Sequence, residues 1–176
     1  MSILNLIKCN AETGEITWAV DYELEYRKRI YLMKANTPVN FRETQGGYLN
    51  LAYKRKPYYA SRLMWEAHNG PIPKGFHIDH KNGIKKDNRL CNLRLCSPTQ
   101  NCLNRPTRRD SRTGVKGVGI TKAGTFVANV VHNKVRHWLG CYPTLEEAAS
   151  VVRAFREAHH GEFVNHGTFN QQGEAS

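Results

Sequence analysis

Hydrophobic positions recur with a helical period near the end of the chain. Five apolar residues lie three or four positions apart there: Leu145, Ala148, Ala149, Val152 and Phe155. This spacing places them on one face of an α-helix. Thr144 and Glu147 fit the N-cap and third helical positions of a capping box, and Gly161 is expected to end the helix. The pattern predicts one amphipathic helix that buries a single apolar face.

Alternating or β-branched runs precede this helix. "TFVANVV" and "KVRHWLG" read as strands joined by the short turn "HNK", and the less regular strand "VKGVGIT" turns into them at "KAGT". A three-stranded antiparallel sheet packed on one helix is therefore expected over residues 112–166.

The middle of the chain predicts two further groups of elements. "TQGGYLNLAYKRKPYYASRLMWEAHNG" reads as a strand pair turning at "KRKP" and leading into a short helix. Leu63, Met64 and Ala67 would face the core on that helix. "GFHIDH" and "NLRLCS" then predict two strands around the loop "KNGIKKDN", and Ser97 and Pro98 suit the N-cap and first position of a following helix.

The expected fold class is α+β, and its boundaries follow from these elements. Residues 1–46 look irregular and have no assigned role, although "DYELEYRKRIYLMK" fits a helix or a strand. The polar, basic segment 106–111 reads as a linker. The predicted domains are thus 47–105 and 112–166, with a tail at 167–176.

The net charge of +11 is concentrated in one region. Residues 52–109 carry thirteen basic and three acidic side chains, whereas the segments on either side are nearly balanced. Such a basic region favours a polyanionic partner, most commonly the phosphate backbone of nucleic acid. A solvated basic face with no partner is the plain alternative.

Several protein classes are disfavoured by the sequence. No stretch approaches the roughly 18 apolar residues of a membrane span, and no secretory signal is visible at "MSILNLIKCN". The five cysteines contain no CxxC pair, which predicts reduced thiols in a cytoplasmic protein that is not secreted. Because Cys91, Cys96 and Cys102 cluster in sequence, a structural zinc remains an alternative.

The segment "HIDH" carries candidate chemistry. Hydrolysis of a phosphodiester needs a general base for water and positive charge at the phosphate. His80 could supply the base, while Asp79 and a nearby asparagine offer the oxygen ligands that hard divalent cations prefer. Since neighbouring residues of a strand face opposite sides, we expect the chain to bend at Asp79 and His80. His77, Asp87 and Asn88 are more simply structural or turn residues.

At these residues the chain resembles an HNH nuclease of the phage homing-endonuclease type, with a ββα-metal fold. The resemblance rests on R-L-x-W, N-G-P-I-P-x-G, D-H-x-N-G, D-N-R-x-x-N-L-R and S-P-T-Q-N, in that order across 47–105. It implies that Asp79 and Asn101 hold a metal ion, that His80 is the general base, and that Asn92 braces the loop and orients the histidine. The family commonly has a histidine where this chain has Ser61, which bears on packing and not on the metal site.

Residues 112–166 resemble the APETALA2/ethylene-response-factor DNA-binding domain, through "GVKGV", "FVANV", "RHWLGCYPTLEEAA" and "HGEF-VNHG". The resemblance implies a sheet lying in the DNA major groove. It implies four contact residues: Lys116, Asn129, Arg136 and Trp138. Lys122, His132 and Lys134 are phosphate contacts by charge. Gly119, Thr121 and Ala123 replace arginine or tryptophan contacts, so base specificity does not carry over. Trp138 would serve equally well as a core residue.

The sequence thus predicts a metal-dependent, site-specific DNA endonuclease of the free-standing, phage-encoded homing type, acting in the cytoplasm of the infected host. It would use one Mg²⁺ or Mn²⁺ ion, no small-molecule cofactor and no membrane, with its oligomeric state left open. A basic set would hold the duplex backbone: Lys85, Lys86, Arg89, Arg94, Arg105, Arg108 and Arg109. The alternatives are a DNA-binding regulator with an inactive HNH fold and a zinc-stabilised binding protein.

Overall fold

The computed structural model describes residues 2–26, 29–105, 107–108 and 110–166, without the side chains of 24–29. The chain divides into two compact units, residues 1–96 and 97–176. In the described residues, no helix is long and apolar enough to cross a membrane.

The N-terminal region is built from short hairpins. Strand β1 (Ile7–Cys9) pairs with β2 (Ile16–Trp18), and β3 (Tyr22–Tyr26) pairs with β4 (Arg29–Met33), both antiparallel. Ile3, Leu6, Ile16 and Trp18 are buried in the core of the first unit. The expectation of an irregular region is therefore wrong for β1 and β2, because strands of three residues are too short to reveal their alternation in the sequence. Of the two alternatives for "DYELEYRKRIYLMK", the structure has the strand.

A three-stranded sheet and a helix complete this core. Strand β5 (Arg42–Glu43) pairs with β6 (Leu49–Tyr53), and β6 pairs with β7 (Lys56–Tyr59), which leads into helix α1 (Ala60–Asn69). Leu63 and Met64 are buried, as predicted. Ala67 is exposed instead of facing the core, because the last turn of α1 extends beyond the packed face.

The segment that contains "HIDH" forms a two-stranded hairpin. Strand β8 (His77–His80) pairs antiparallel with β9 (Leu93–Cys96). Helix α2 (Pro98–Leu103) follows, and its Ser97 N-cap accepts a hydrogen bond from the Gln100 N–H at 3.2 Å. The predicted order of strand, loop, strand and helix is confirmed. Helix α2 belongs to the second unit, where it contacts residues 161–163. The linker at 106–111 and the domain bounds 47–105 and 112–166 stay predictions.

The second unit is a sheet packed on one helix. Strands β10 (Val118–Ile120), β11 (Phe126–His132) and β12 (Val135–Tyr142) form an antiparallel sheet in that order. Helix α3 (Leu145–His159) begins where Thr144 Oγ1 accepts the Glu147 N–H at 3.3 Å. Val118, Ala128, Val130, Ala148 and Val152 form the buried core between sheet and helix. The predicted α+β fold is confirmed here.

Candidate active site

The β8–β9 register brings two charged side chains together. Asp79 lies directly opposite Arg94, so both side chains leave the same face of the hairpin. Arg94 donates from Nε at 2.9 Å and from Nη2 at 2.8 Å to Oδ2 of Asp79. Both residues are buried, at 8% and 7% exposure. The predicted metal ligand therefore carries its own buried guanidinium partner.

This pairing corrects the expected role of Arg94. The sequence places Arg94 among the cations that hold the DNA backbone, which requires an exposed side chain. Its burial against Asp79 removes it from that surface. The sequence predicts that both residues lie on strands of one hairpin. It does not give the strand register, which depends on how the intervening loop folds.

His80 is held by a side chain that the sequence did not single out as its partner. His80 is 3% exposed, and its Nε2 lies 3.2 Å from Oδ1 of Asn88. The Asn88 amide is itself oriented, because its Nδ2 donates to the Lys86 carbonyl at 3.2 Å. An amide oxygen only accepts, so Nε2 must carry the proton and the neutral imidazole keeps its lone pair on Nδ1.

The surroundings also favour the neutral form of His80. Burial lowers the pKa of the imidazole below its usual value, and this effect outweighs the raising effects of the Asn88 hydrogen bond and the Asp79 carboxylate. A neutral imidazole at neutral pH is able to accept a proton.

Asn92 braces the loop between the two strands. Its Oδ1 accepts the Asn82 N–H at 3.0 Å, and its Nδ2 donates to the Asp87 carbonyl at 2.8 Å. Asn82 in turn donates from Nδ2 to Asp87 at 2.8 Å. These bonds connect the two sides of the loop, and the role of Asn92 in the reaction stays a prediction. The hydrogen bond to the His80 ring described above comes from Asn88, in the loop that Asn92 braces.

Asp79 and His80 leave opposite faces of β8. Their cross-strand partners, Arg94 and Leu93, follow in regular register, so the pairing does not show the bend expected from the sequence. The Asp79 charge still acts on the imidazole, since it raises the His80 pKa. Because the strand backbone lies between the two side chains, this pairing alone does not bring them to one phosphate, and their joint action stays a prediction.

The N-terminal region supports the loop that carries Asn88. A Cβ atom on Gly14 would lie 2.7 Å from the Arg89 nitrogen and 2.9 Å from the Asn88 carbonyl carbon. Gly14 also has a φ of +77°, which favours glycine. The Leu90 N–H donates to the Ala11 carbonyl at 2.9 Å. The first residues of the chain are therefore part of the support of the site.

The β5–β6 hairpin contacts the same loop from another direction. The rings of Tyr48 and His80 lie 6.1 Å apart between centroids, and the Lys85 ammonium lies 4.8 Å from the centre of the Tyr48 ring. Lys86 pairs with Glu43 at 2.8 Å. This hairpin thus packs beside the imidazole and fixes the basic side of the loop.

The other residues that were predicted to contact the DNA backbone differ in whether they have acidic partners. Lys85, Lys86, Arg89, Arg105 and Arg108 are exposed. Arg89 donates to both oxygens of Asp87, which holds the Asp87 pKa below its usual range, and Arg108 donates to Asp110. Arg109 lies outside the described residues.

Three candidate contacts of the second unit share one face of its sheet. Asn129 lies opposite Trp138, and Val131 lies opposite Arg136. The alternate residues of the same strand, Ala128 and Val130, are buried toward α3. Trp138 is 66% exposed, so it is not a core residue. Lys122 and Lys134 are exposed in the turns at either end of β11, and His132 is half-buried at its end.

Lys116 has internal partners. Its ammonium donates to the carbonyls of Leu103, Arg105 and Asn165, at 2.6, 2.7 and 3.4 Å. These bonds hold the ends of the unit together and engage the ammonium internally, so Lys116 is not part of the exposed contact surface of the sheet.

The chemistry of the candidate metal ligands suits a hard cation. Asp79 offers a carboxylate and Asn101, on α2, offers an amide oxygen; both are ligand types of Mg²⁺. They belong to different units, and their joint use stays a prediction. Within the described ranges, no group of three or more His, Cys, Asp or Glu residues could hold a metal ion. Cys91 and Cys102 are exposed and Cys96 is buried.

Known proteins are similar to this chain in the region that contains the candidate site. A family model described as HNH endonuclease matches residues 58–103. Protein 3.8 of Escherichia phage T7 is 38% identical over 102 residues, which cover 57% of this chain and 84% of that protein. Uncharacterized HNH endonuclease L560 of Acanthamoeba polyphaga mimivirus is 35% identical over 95 residues, covering 54% of this chain and 49% of that protein.

One solved structure is also similar. The HNH homing endonuclease I-HmuI, described in terms of DNA binding and cleavage, shares 18% identity and a TM-score of 0.41, covering 82% of this chain and 75% of that one. The matched region and the sequence relatives show that the chain belongs to the HNH endonuclease family.

Proposed function

We propose that this chain is a metal-dependent, site-specific DNA endonuclease of the homing type that hydrolyses phosphodiester bonds with His80 as the general base. The observation that carries the proposal is the buried His80–Asn88 pair, which leaves the lone pair of a neutral imidazole on Nδ1. Family membership and the concentrated basic charge support nucleic acid as the substrate.

In the proposed reaction, Nδ1 of His80 takes the proton from a water molecule. Asn88 holds the protonated Nε2 and thereby keeps the ring in one tautomer and one orientation. Asn92 fixes the loop that carries Asn88. The Asp79 carboxylate stabilises the imidazolium that forms, since it favours the charged ring.

One divalent ion, Mg²⁺ or Mn²⁺, would be held by Asp79 and Asn101. HNH nucleases generally use a divalent metal ion, and these two residues supply the hard oxygen donors that it prefers. When bound, the ion supplies positive charge for the phosphate and for the leaving 3′ oxygen. Arg94 holds the Asp79 carboxylate in place through its hydrogen bonds to Oδ2.

Double-stranded DNA would contact the exposed cations of both units. Lys85, Lys86, Arg89, Arg105 and Arg108 give affinity without sequence choice, because phosphate contacts carry no base information. In the second unit, Asn129, Arg136 and Trp138 form the face available for groove contacts, with Lys122 and Lys134 beside it. The predicted phosphate contact His132 lies on the helix side of β11 instead, where its ring packs against Phe155, His159 and His160.

The test uses supercoiled plasmid DNA that carries a cloned library of phage DNA, with Mg²⁺ or with EDTA. The protein is expected to nick or linearise particular clones in Mg²⁺ only, and His80→Ala is expected to abolish cleavage. His77→Ala is the matched control, because His77 is an exposed histidine on the same strand. Sequencing of the cut ends reports whether cleavage is site-specific.

A DNA-binding regulator with an inactive HNH fold predicts a different result. It would bind the same DNA tightly, and no divalent metal would produce cleavage by either the unaltered protein or His77→Ala. That outcome would remove the hydrolytic mechanism and leave binding as the function.

A further inference from the structure

The second unit contains a cationic pocket in which two buried basic residues, Arg156 and His160, have no role in the nuclease proposal. Its volume is about 540 Å³, and it lies among helix α2, the segment before β10, strand β11 and the end of α3. Lys116, Lys134, Arg156 and His160 line it, and no Asp or Glu is among the described residues that do. A concave site with several basic groups and no carboxylate is suited to an anion.

Arg156 is the most deeply buried of these groups. It is 3% exposed; Nη2 donates to the Lys116 carbonyl at 2.8 Å, and Nε is buried without a hydrogen-bond partner in the described part of the chain. Burial lowers its pKa to about 10, so the guanidinium is still charged at neutral pH. A buried charge without an opposite charge is costly, and an anion in the pocket would compensate it.

Lys116 adds a second positive charge beside Arg156. The pKa of Lys116 is lowered to about 8, by burial first and then by the Arg156 charge. Carbonyl oxygens solvate the ammonium, but they carry no formal negative charge. The two cations therefore repel each other across the pocket, and a bound anion would relieve this repulsion.

His160 contributes unused hydrogen-bonding groups. It is 7% exposed, and both of its ring nitrogens are buried without a partner within the described residues. An imidazole N–H is able to donate to an oxyanion. A metal ion is a poor alternative occupant, because Lys116 and Arg156 would repel it and the pocket offers no carboxylate.

The shape of the pocket indicates what accompanies the anion. Its volume exceeds what an inorganic phosphate needs, and Pro98, Leu103 and Val130 supply apolar walls. Ligand sites of this size combine apolar walls with a few placed polar groups. A nucleotide fits such a site. Its phosphate would bind the guanidinium and ammonium groups, which bind phosphate oxygens strongly, and its sugar and base would lie against the apolar walls.

We propose that this pocket binds the phosphate group of a nucleotide, with Arg156 as the anchoring cation and Lys134 and His160 as further contacts. The phosphate belongs either to a free nucleotide or to the phosphorylated end of a DNA strand. This site does not depend on the nuclease proposal.

The experiment measures binding to the full chain by titration calorimetry, in phosphate-free buffer with EDTA and constant ionic strength. The probes are deoxyadenosine monophosphate, deoxyadenosine, and a short duplex with or without a 5′-phosphate. We expect the monophosphate to bind saturably and deoxyadenosine not to bind. Competition by the phosphorylated duplex alone assigns the phosphate to a DNA end; no competition by either duplex assigns it to a free nucleotide.

Variants separate the pocket from general charge. Arg156→Gln is expected to weaken monophosphate binding at least tenfold, and Lys134→Gln severalfold. Arg153→Gln is the matched control, because Arg153 is an exposed arginine on the same helix, and it should bind normally. Circular dichroism checks the fold; if Arg156→Gln does not fold, Lys134→Gln decides. Absence of monophosphate binding at millimolar concentration, or equal weakening by Arg153→Gln, would overturn the proposal.

Discussion

The guanidinium of Arg94 binds the carboxylate of Asp79 across the β8–β9 hairpin, with Nε at 2.9 Å and Nη2 at 2.8 Å from the same oxygen. Both side chains are buried, and each charge compensates the other. Asp79 is also the proposed metal ligand. The same ion pair therefore stabilises the hairpin and positions the proposed metal ligand.

Replacing Arg94 with leucine should destabilise the protein strongly. The change removes one partner of a buried ion pair, which typically costs about 3–5 kcal/mol. The measurement is the free energy of unfolding in urea at neutral pH. Arg89→Leu is the control: it breaks an ion pair whose arginine is exposed, worth about 0–1 kcal/mol. Similar losses in the two variants would contradict the assigned role of Arg94.

Replacing Asn88 with alanine should slow DNA cleavage in a protein that still folds. Without the amide oxygen, the His80 ring loses the partner that fixes its tautomer, and loss of such partners typically costs about 10–100-fold in activity. Single-turnover cleavage rates test this. Asn69→Ala, at the exposed end of α1, should cleave at the normal rate. An unchanged rate in Asn88→Ala would sink the positioning role.

Replacing Gly14 with alanine should damage the site from a distance. The new methyl group would approach the backbone of Asn88 and Arg89 and would sit at a positive φ, so we expect a loss of more than about 1 kcal/mol together with slower cleavage. Gly75→Ala has a similar φ of +86° but no atom within 4 Å, so it should show only the conformational cost. Equal effects of the two changes would argue against the contact.

Replacing Arg136 with alanine should weaken DNA binding and leave stability unchanged, because Arg136 is exposed on the sheet face that also carries Trp138. Besides its groove contact, Arg136 contributes one positive charge at the DNA surface, and loss of one such charge reduces the slope of log affinity against log salt by about 1. Fluorescence anisotropy at several salt concentrations measures the slope. Arg153→Ala, on helix α3, should keep the original slope, and the reverse ranking of the two variants would exclude this sheet face.

Acidification should destabilise the second unit through His160. Burial, with smaller effects from His132, Arg156, Lys116 and His159, lowers the His160 pKa from 6.5 to about 4. Between these values the unfolded chain binds a proton that the folded chain does not. Stability is therefore greatest above pH 6.5 and falls as the pH approaches 4.

Urea unfolding at pH 7, 5.5 and 4.5, in phosphate-free buffer, measures this dependence. His160→Asn is expected to reduce the slope of stability against pH in that window. His68→Asn, which replaces an exposed histidine of α1, should retain it. Indistinguishable slopes would show that other groups dominate the acid sensitivity.

Much of the fold could be predicted because its signals are local. The helical spacing after Thr144, the strand pattern around "HNK" and the Ser97–Pro98 helix start each depend on residues close in sequence, and the structure has all three elements. The N-terminal hairpins could not be predicted in this way. Their strands are short, and they are stabilised by packing into a core with distant residues such as Leu63 and Met64.

The sequence by itself determined the chemical types of the candidate site, since Asp79, His80 and Asn92 stand out by type and spacing. Only the tertiary structure decided their partners. Arg94 binds Asp79 because of the hairpin register, Asn88 meets His80 because the loop folds back, and Gly14 supports that loop from far along the chain. Local patterns fix residue types and elements, whereas a charge or a proton is positioned by contacts that exist only after the chain has packed.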